Sequence, residues 1–462
     1  MDQLLHFVQT LNLYLSDYIL MILLIGTGIF FTFRTRFVQI RCFGEGMKQV
    51  FGNFSLKGKQ HESGLSSFQA LTAAVAAQVG TGNLVGACGA ILIGGPGAIF
   101  WMWIIAFFGM ATIYAEAVLA QKTRQVAADG TISGGPVCYI KHAFTGIFGK
   151  ILAGFFAVAC TIALGFAGSM VQSNSISSAC SSAFGIPTWI IGSIVAVLAA
   201  FIFIGGVKRL GTVTEKIVPI MAILYIIGCL IVICARIRYI PETFGMIFRY
   251  AFAPQAIIGG SIGFALKQAI SQGAKRGLFS NEAGMGSTPH AHALANVKHP
   301  HEQGMVAMVG VFIDTFIVLT LNALVIISTL YTNDGPLANG YFGSAAETLS
   351  KTNLAQTAFG TVLGGDLGAK FVAVCLFFFA ISTVLSWNLF GKINAIYLFG
   401  KKAVPVYTAI SLVFLFLGTV MSNDLVWELT DTFNFLMVFP NVIALFAMTN
   451  VVVKSLNSIS KK

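Results

Sequence analysis

An apolar segment long enough to cross a bilayer, Phe68 to Gly94, carries Gln78-Val79-Gly80-Thr81-Gly82-Asn83-Leu84-Val85-Gly86 at its middle. Glycine costs a helix interior about 1 kcal/mol relative to alanine, so three glycines interleaved with Thr and Asn mark a place where a helix is expected to open. In a bilayer the freed N–H and C=O groups must then find partners inside protein or around a polar cavity. The competing explanation is close helix packing through the small pair Gly82 and Gly86. The segment alone does not separate the two.

The rest of the chain places that segment in a membrane. It is 56% hydrophobic and only 10% charged, where a soluble domain is about 25% charged, and its mean hydropathy is +0.83. A span needs about 20 mostly apolar residues. Eleven stretches qualify: 15–34, 68–93, 97–120, 150–172, 188–207, 213–235, 276–298, 304–330, 369–391, 403–421 and 427–450. The eight cysteines show no C-x-x-C spacing, so neither a disulfide framework nor a zinc motif is expected. A net charge of +11 would suit nucleic acid if it were clustered, but it is spread through loops. No nucleic-acid partner is expected, and the bilayer itself is the implied surroundings.

With the N-terminus outside, most Lys and Arg fall in loops on the inner side, including Arg34, Arg36, Arg41, Lys122, Arg124, Lys208, Arg209, Lys401, Lys402 and Lys454. The positive-inside rule therefore favours N-out and C-in. Met1 to Asp17 lacks the basic region of a cleavable signal. Two long connections, 236–275 and 331–368, then lie outside and suit short surface helices.

A second interruption, Gly277-Leu278-Phe279-Ser280-Asn281-Glu282-Ala283-Gly284-Met285-Gly286-Ser287-Thr288-Pro289, occupies the seventh span. Gly284 suits a helix end, while Ser287 suits a new N-cap and Pro289 a first turn. Two half-helices meeting at Gly284-Met285-Gly286 are expected. With the first span as an extra helix, residues 68–235 and 276–450 form two sets of five spans within one transporter domain, 1–462, and each set opens on an interrupted segment. Five spans per set reverse the second set in the membrane, which is the inverted-repeat arrangement with substrate and ions held between broken helices. A half-helix N-terminus offers partial positive charge and free N–H groups to a carboxylate, and exposed carbonyls suit Na⁺.

Gly80-Thr81-Gly82-Asn83, Gly94-Gly95-Pro96-Gly97-Ala98-Ile99-Phe100-Trp101 and Ser280-Asn281-Glu282-Ala283-Gly284-Met285-Gly286-Ser287 together closely resemble the alanine or glycine:cation symporter family of bacteria and archaea (sodium:alanine symporters), over nearly the whole chain. The resemblance implies an all-α polytopic protein with the LeuT-type 5+5 inverted repeat plus one N-terminal helix. It also implies residence in a prokaryotic plasma (inner) membrane and uptake of alanine or glycine driven by Na⁺, with H⁺ in some members. Na⁺ would be the coupling ion, without an organic cofactor or an obligate protein partner. By position, Gln78, Thr81 and Gly82 on the first break and Gly284, Met285 and Gly286 on the second would contact substrate, the N–H groups of Thr81 and Gly82 holding its carboxylate. Ser382 and Thr383 resemble the hydroxyl ligands of the fold's shared sodium site, completed by carbonyls near Ala76 and Val79, with Asn83 a further candidate ligand. Thr383 and, one turn later, Trp387 would border the substrate, and Phe166 would cover it from outside, leaving a small pocket with Met285 as its third wall.

Charged residues within spans are functional candidates: Glu116, Glu215, Glu282, Asp314 and Asp431. Glu116 and Glu215 are expected near the inner ends, solvated or ion-paired. Asp314 is expected to pair with a basic or amide group in the cytoplasmic half, and Glu282 to orient the second break or carry a proton. His290, His292, His299 and His301 lack a zincin spacing and are expected to line the inner vestibule, so no metal other than Na⁺ is anticipated. Gly259-Gly260-Ser261-Ile262-Gly263 matches the G-x-S-x-G nucleophile pattern without the strand-to-helix elbow that gives it meaning. An intramembrane serine hydrolase using Ser261 and a passive amino-acid channel are the alternatives to a symporter.

Overall fold

A computed structural model describes residues 2–52, 65–126, 132–253, 262–333, 335–338 and 348–457. Ser261 lies outside the described residues. The described chain is mostly helical, with one short antiparallel pair, Gln125–Val126 with Ile132–Ser133, and an isolated parallel bridge between Leu65 and Ala295. Seven helices among the described residues are long and apolar enough to cross a membrane, and an eighth span is the bent pair Ser67–Gln78 and Gly82–Gly94. Met21–Arg34 and Thr188–Ile204 are shorter apolar helices at the positions expected for the first and fifth spans.

The surface is apolar and much of the interior polar. Ile147, Ile151, Phe155 and Val158 project from one face of the helix Gly146–Ile162 and are largely exposed. Val197, Phe201 and Ile204 do the same on Thr188–Ile204. Such patches on a water-soluble monomer would drive association, whereas here they form a face suited to lipid tails. Inside, Ser169, Gln172, Ser173, Ser175 and Ser177 of the helix Gly168–Phe184 are buried, as polar residues between membrane helices should be.

Two expected boundaries move. The span expected at 150–172 runs from Gly146 to Phe184. Its second half is rich in Ser and Asn, which lowers the hydropathy but not the helicity of a segment buried from Gly168 to Ser177. The seventh span begins earlier than 276: its first half-helix is Ile262–Asn281, its second the short Pro289–Ala293. Lys267, Lys275 and Arg276 therefore belong to the helix and not to the connection before it. That connection does hold a surface helix, Ile240–Phe252, and Leu354–Leu363 lies in the second long connection.

Candidate functional site between two helix breaks

The first break is narrow. The helix Ser67–Gln78 starts with a capping box between Ser66 and Gln69 and ends at Val79, whose φ of −79° and ψ of 85° leave helical space. The chain re-enters a helix at Thr81 and passes through a wide-turn stretch, Gly82–Gly86, into Ala87–Gly94, with a 41° bend between the two pieces. The donors freed by the break are met by side chains. Gly80 N–H donates to Asn83 Oδ1 at 3.0 Å, and Thr81 N–H to Gln172 Oε1 at 3.3 Å.

The second break is wider. Glu282, Gly284 and Gly286 have φ of 58°, 89° and 81°, a region glycine enters freely and Glu282 only at a cost of about 1–2 kcal/mol. The freed N–H groups of Gly284 and Gly286 both donate to the carboxylate of Glu116, each at 3.0 Å. Asn441 Nδ2 donates to the same carboxylate at 2.6 Å and to Gly284 O at 2.9 Å, and Tyr139 OH donates to Asn441 Oδ1. Glu116 is fully buried, so its expected solvated surroundings are corrected: its carboxyl oxygens accept from two N–H donors of the break and one amide. Glu282 accepts from Trp387 Nε1 at 2.5 Å and from Ser287 Oγ, tying the break to the long helix Gly365–Phe399.

The two breaks touch. Gln78 Nε2 donates to Asn281 O at 2.8 Å. A Cβ on Gly82 would lie 2.9 Å from the Cα of Ser280, so only glycine lets the two backbones approach this closely. Asp314 sits at the junction, accepting from Asn83 Nδ2 at 2.7 Å, Ser280 Oγ at 2.9 Å and Thr315 Oγ1 at 2.8 Å. Its expected amide partner is thus Asn83, on the first break itself. Asn322 Nδ2 donates to the carbonyls of Asn83 and Leu84 at 2.8 and 3.3 Å. Gln78 Oε1, Thr81 Oγ1, Asn281 Nδ2 and Ser386 Oγ are buried with no hydrogen-bond partner. Each such atom costs about 1–3 kcal/mol unless a ligand or water meets it, and these four belong to the two breaks and the helix beside them.

Of the residues proposed for a cation, Thr383 Oγ1 donates to Ala76 O at 2.8 Å and to Phe379 O at 3.1 Å. The span expected to face the first break therefore does so, with its hydroxyl against a carbonyl of the half-helix C-terminus. Val79 is buried at that same terminus. Ser382 Oγ donates to Phe379 O of its own helix at 2.8 Å, and Asn83 is engaged with Gly80 and Asp314. Trp387, buried, meets Phe279 edge-on with ring centroids 5.7 Å apart. Met285 is buried within the second break. Phe166 is placed elsewhere, its ring against Tyr407 and Phe414 at 5.6 and 5.2 Å.

Several residues of the site carry no sequence signal. Phe279 packs on Trp427 with centroids 4.8 Å apart, and the guanidinium of Arg276 lies 4.8 Å from the Trp427 ring centroid. Arg276 also forms a two-pronged pair with Asp431 at 2.8 and 3.2 Å, both side chains being nearly buried. Gln172, Asn322 and Asn441 were likewise invisible, since an amide in a span looks the same whether it caps a break or bonds a neighbouring helix. The histidines do not converge. His290 stacks between Phe156 and Phe390 and bonds Ser287 O and Asn394. His292 bonds Gln303, and His301 bonds Tyr114. All three are buried, and His299 is exposed; of the buried ones, His290 borders a cavity it shares with Cys138, Lys141 and Asn394. Glu215 accepts from Gln69 Nε2 at 3.0 Å.

The contacts of Glu282 make a test of its role. In Glu282→Gln the amide oxygen still accepts from Trp387 and the amide N–H donates to Ser287 Oγ. The uptake that the sequence resemblance implies should fall by less than about tenfold, because a charge-assisted bond exceeds a neutral one by about 1 kcal/mol, and its pH dependence should persist. Retained uptake with the pH dependence abolished would assign Glu282 a proton instead of a structural role.

The sequence profile described as the sodium:alanine symporter family matches residues 1–462. The sodium/alanine symporter AgcS of Methanococcus maripaludis is 40% identical over 458 residues, 98% of this chain and 97% of that one. The putative sodium/proton-dependent alanine carrier protein YrbD of Bacillus subtilis is 40% identical over 444 residues, 95% of this chain and 89% of that one. Among solved structures, MhsT in complex with L-phenylalanine is similar with a TM-score of 0.58 at 13% identity, covering 87% of this chain and 97% of that one. At that identity the likeness speaks for the fold, which is of the LeuT type.

Proposed function

The chain belongs to the sodium:alanine symporter family, a multi-pass membrane transporter and not an enzyme, and from that premise we propose that it couples Na⁺ entry to the uptake of alanine and glycine. The observation that carries the reading is the meeting of the two helix breaks around unpartnered polar atoms, with Thr383 against the Ala76 carbonyl. A zwitterionic amino acid matches this setting. Its carboxylate would take the Thr81 N–H in place of Gln172 Oε1, and its ammonium would meet Gln78 Oε1 and carbonyls of the second break. Gly284 and Gly286 contribute through their backbone while Glu116 holds their N–H groups. Na⁺ would sit among the Ala76 and Val79 carbonyls and the hydroxyls of Thr383 and Ser382, after Thr383 rotates away from its helix carbonyl.

The proposed cycle begins with Na⁺ ordering the first break from the outside. Substrate then fills the site, and the Arg276–Asp431 pair with Trp427 and Phe279 covers it. The two repeats, the second beginning at Ile262 instead of 276, then rock to release both solutes into a prokaryotic cytoplasm, with the N-terminus outside and the C-terminus inside. Uptake of labelled alanine, glycine and serine into proteoliposomes, with Na⁺ and H⁺ gradients imposed separately, tests this. Accumulation above the external concentration under the Na⁺ gradient alone is expected. Accumulation under the H⁺ gradient alone would assign the proton as coupling ion, and equilibration without accumulation would mean a channel.

The pocket wall has its own test. Trp387→Leu removes a large buried ring and leaves a cavity, so bulkier neutral amino acids should compete with labelled alanine. An unaltered competition profile would remove Trp387 from the pocket.

A further inference from the structure

Cys42, Glu45 and His301 come together away from the helix breaks. One ligand atom from each lies within 4.8 Å of the others. Cys42 immediately precedes the helix Phe43–Phe51, Glu45 is in its first turn, and His301 is in the first turn of Pro300–Val311. The two helices are in tight contact. A Cβ on Gly46 would lie 3.1 Å from Met305 O, and the Phe43 and Phe312 rings meet edge-on at 4.8 Å. Cys42 and His301 are buried, and Glu45 is exposed.

We infer that Cys42, Glu45 and His301 form a site for a divalent transition-metal ion, with Zn²⁺ the matching chemistry. A thiolate, an imidazole and a carboxylate are the three donor types zinc accepts, and bonds of about 2.0–2.3 Å put tetrahedral donors about 3.5 Å apart. Side-chain rotation, freest at the exposed Glu45, closes the difference. The charges balance: on binding, the Cys42 thiol releases its proton to solvent, and thiolate plus carboxylate neutralise the cation. The imidazole is also pre-oriented. Tyr114 OH lies 2.7 Å from His301 Nδ1, which leaves Nε2 for the metal and gives the ring the outer hydrogen bond that metal-binding histidines use. A fourth position stays open to water.

The site is placed where a bound ion would slow transport. It joins the connection after the first span to the base of the helix whose continuation carries Asp314. Its Tyr114 stands two residues before Glu116, which holds the second break. A metal there bridges two segments, Cys42–Glu45 and the His301 helix, that must shift against one another if the proposed rocking occurs; this regulatory half rests on the proposed function, and the site itself does not.

Titration of the purified full-length protein in nanodiscs with Cd²⁺, a spectroscopic stand-in for Zn²⁺, separates the two. One equivalent giving thiolate-to-Cd²⁺ charge-transfer absorption is expected, lost in Cys42→Ser. Tyr114→Phe, which keeps all three ligands, should weaken binding about 10-fold. Absorption that persists undiminished in Cys42→Ser, or none in the parent, overturns the site and leaves Cys42, Glu45 and His301 as neighbouring side chains only. With Zn²⁺ on both sides of proteoliposomes, alanine uptake by the parent should slow and that by Cys42→Ser should not. Equal slowing of both overturns the regulatory role.

Discussion

Glu116→Ala is expected to abolish uptake and to lower stability by about 3 kcal/mol, because it strips the acceptor from three buried donors that each cost about 1–3 kcal/mol when unmet. Those donors are Gly284 N–H, Gly286 N–H and Asn441 Nδ2. In the wide second break Glu282 N–H still bonds Leu278 O and Met285 N–H bonds Glu282 O, whereas the N–H groups of Gly284 and Gly286 bond the carboxylate, which stands in for backbone acceptors. Partial relaxation and entering water keep the loss below the sum of the three. Glu116→Gln should fall between, since its amide oxygen still accepts while its NH₂ opposes a donor. Thermal unfolding of the detergent-solubilised protein and uptake in proteoliposomes measure the two effects. A Glu116→Ala protein with the parental unfolding temperature and uptake rate would show that the break does not depend on this carboxylate.

Thr383→Ala is expected to raise the Na⁺ concentration for half-maximal uptake at least tenfold while leaving the protein folded. The hydroxyl is one of few oxygens at the C-terminal end of the first half-helix, and it already lies 2.8 Å from the Ala76 carbonyl. Losing one oxygen ligand is worth at least about 1.4 kcal/mol of ion affinity, a factor of ten. Losing a single neutral hydrogen bond costs the fold only about 1 kcal/mol. Thr383→Ser, which keeps the oxygen, should restore most of the affinity. An unchanged half-saturation in Thr383→Ala would remove this residue from the proposed sodium site.

Much of the architecture could be read from the residues because its signals are local. Gly80-Thr81-Gly82 and Gly284-Met285-Gly286 announce breaks whatever surrounds them, and apolar length announces spans. The start of the seventh span at Ile262 was hidden because Lys267, Gln268, Gln272, Lys275 and Arg276 depress its hydropathy. Arg276 is held inside by Asp431 and Trp427, partners 155 and 151 positions away along the chain. Glu116 was misplaced for the same reason. Its place near the end of its helix suggests solvent, and only the fold brings the N–H groups of Gly284 and Gly286 to it. Phe166 failed differently. A helix offers several faces, and the residue spacing did not say that this ring turns to Tyr407 and Phe414.

The contact from Thr81 N–H to Gln172 Oε1 bears on the return half of a transport cycle. On the proposed reading a substrate carboxylate takes that N–H, so the protein carries its own occupant for the position when cargo leaves. Binding is then an exchange of one acceptor for another. Affinity reflects only the difference between a carboxylate and an amide oxygen, which favours loose and quickly reversible capture. The empty carrier keeps its donor satisfied and can reorient without dragging water or solute through the membrane. A Gln172→Leu protein would lose that occupant, and with it the low-cost route home.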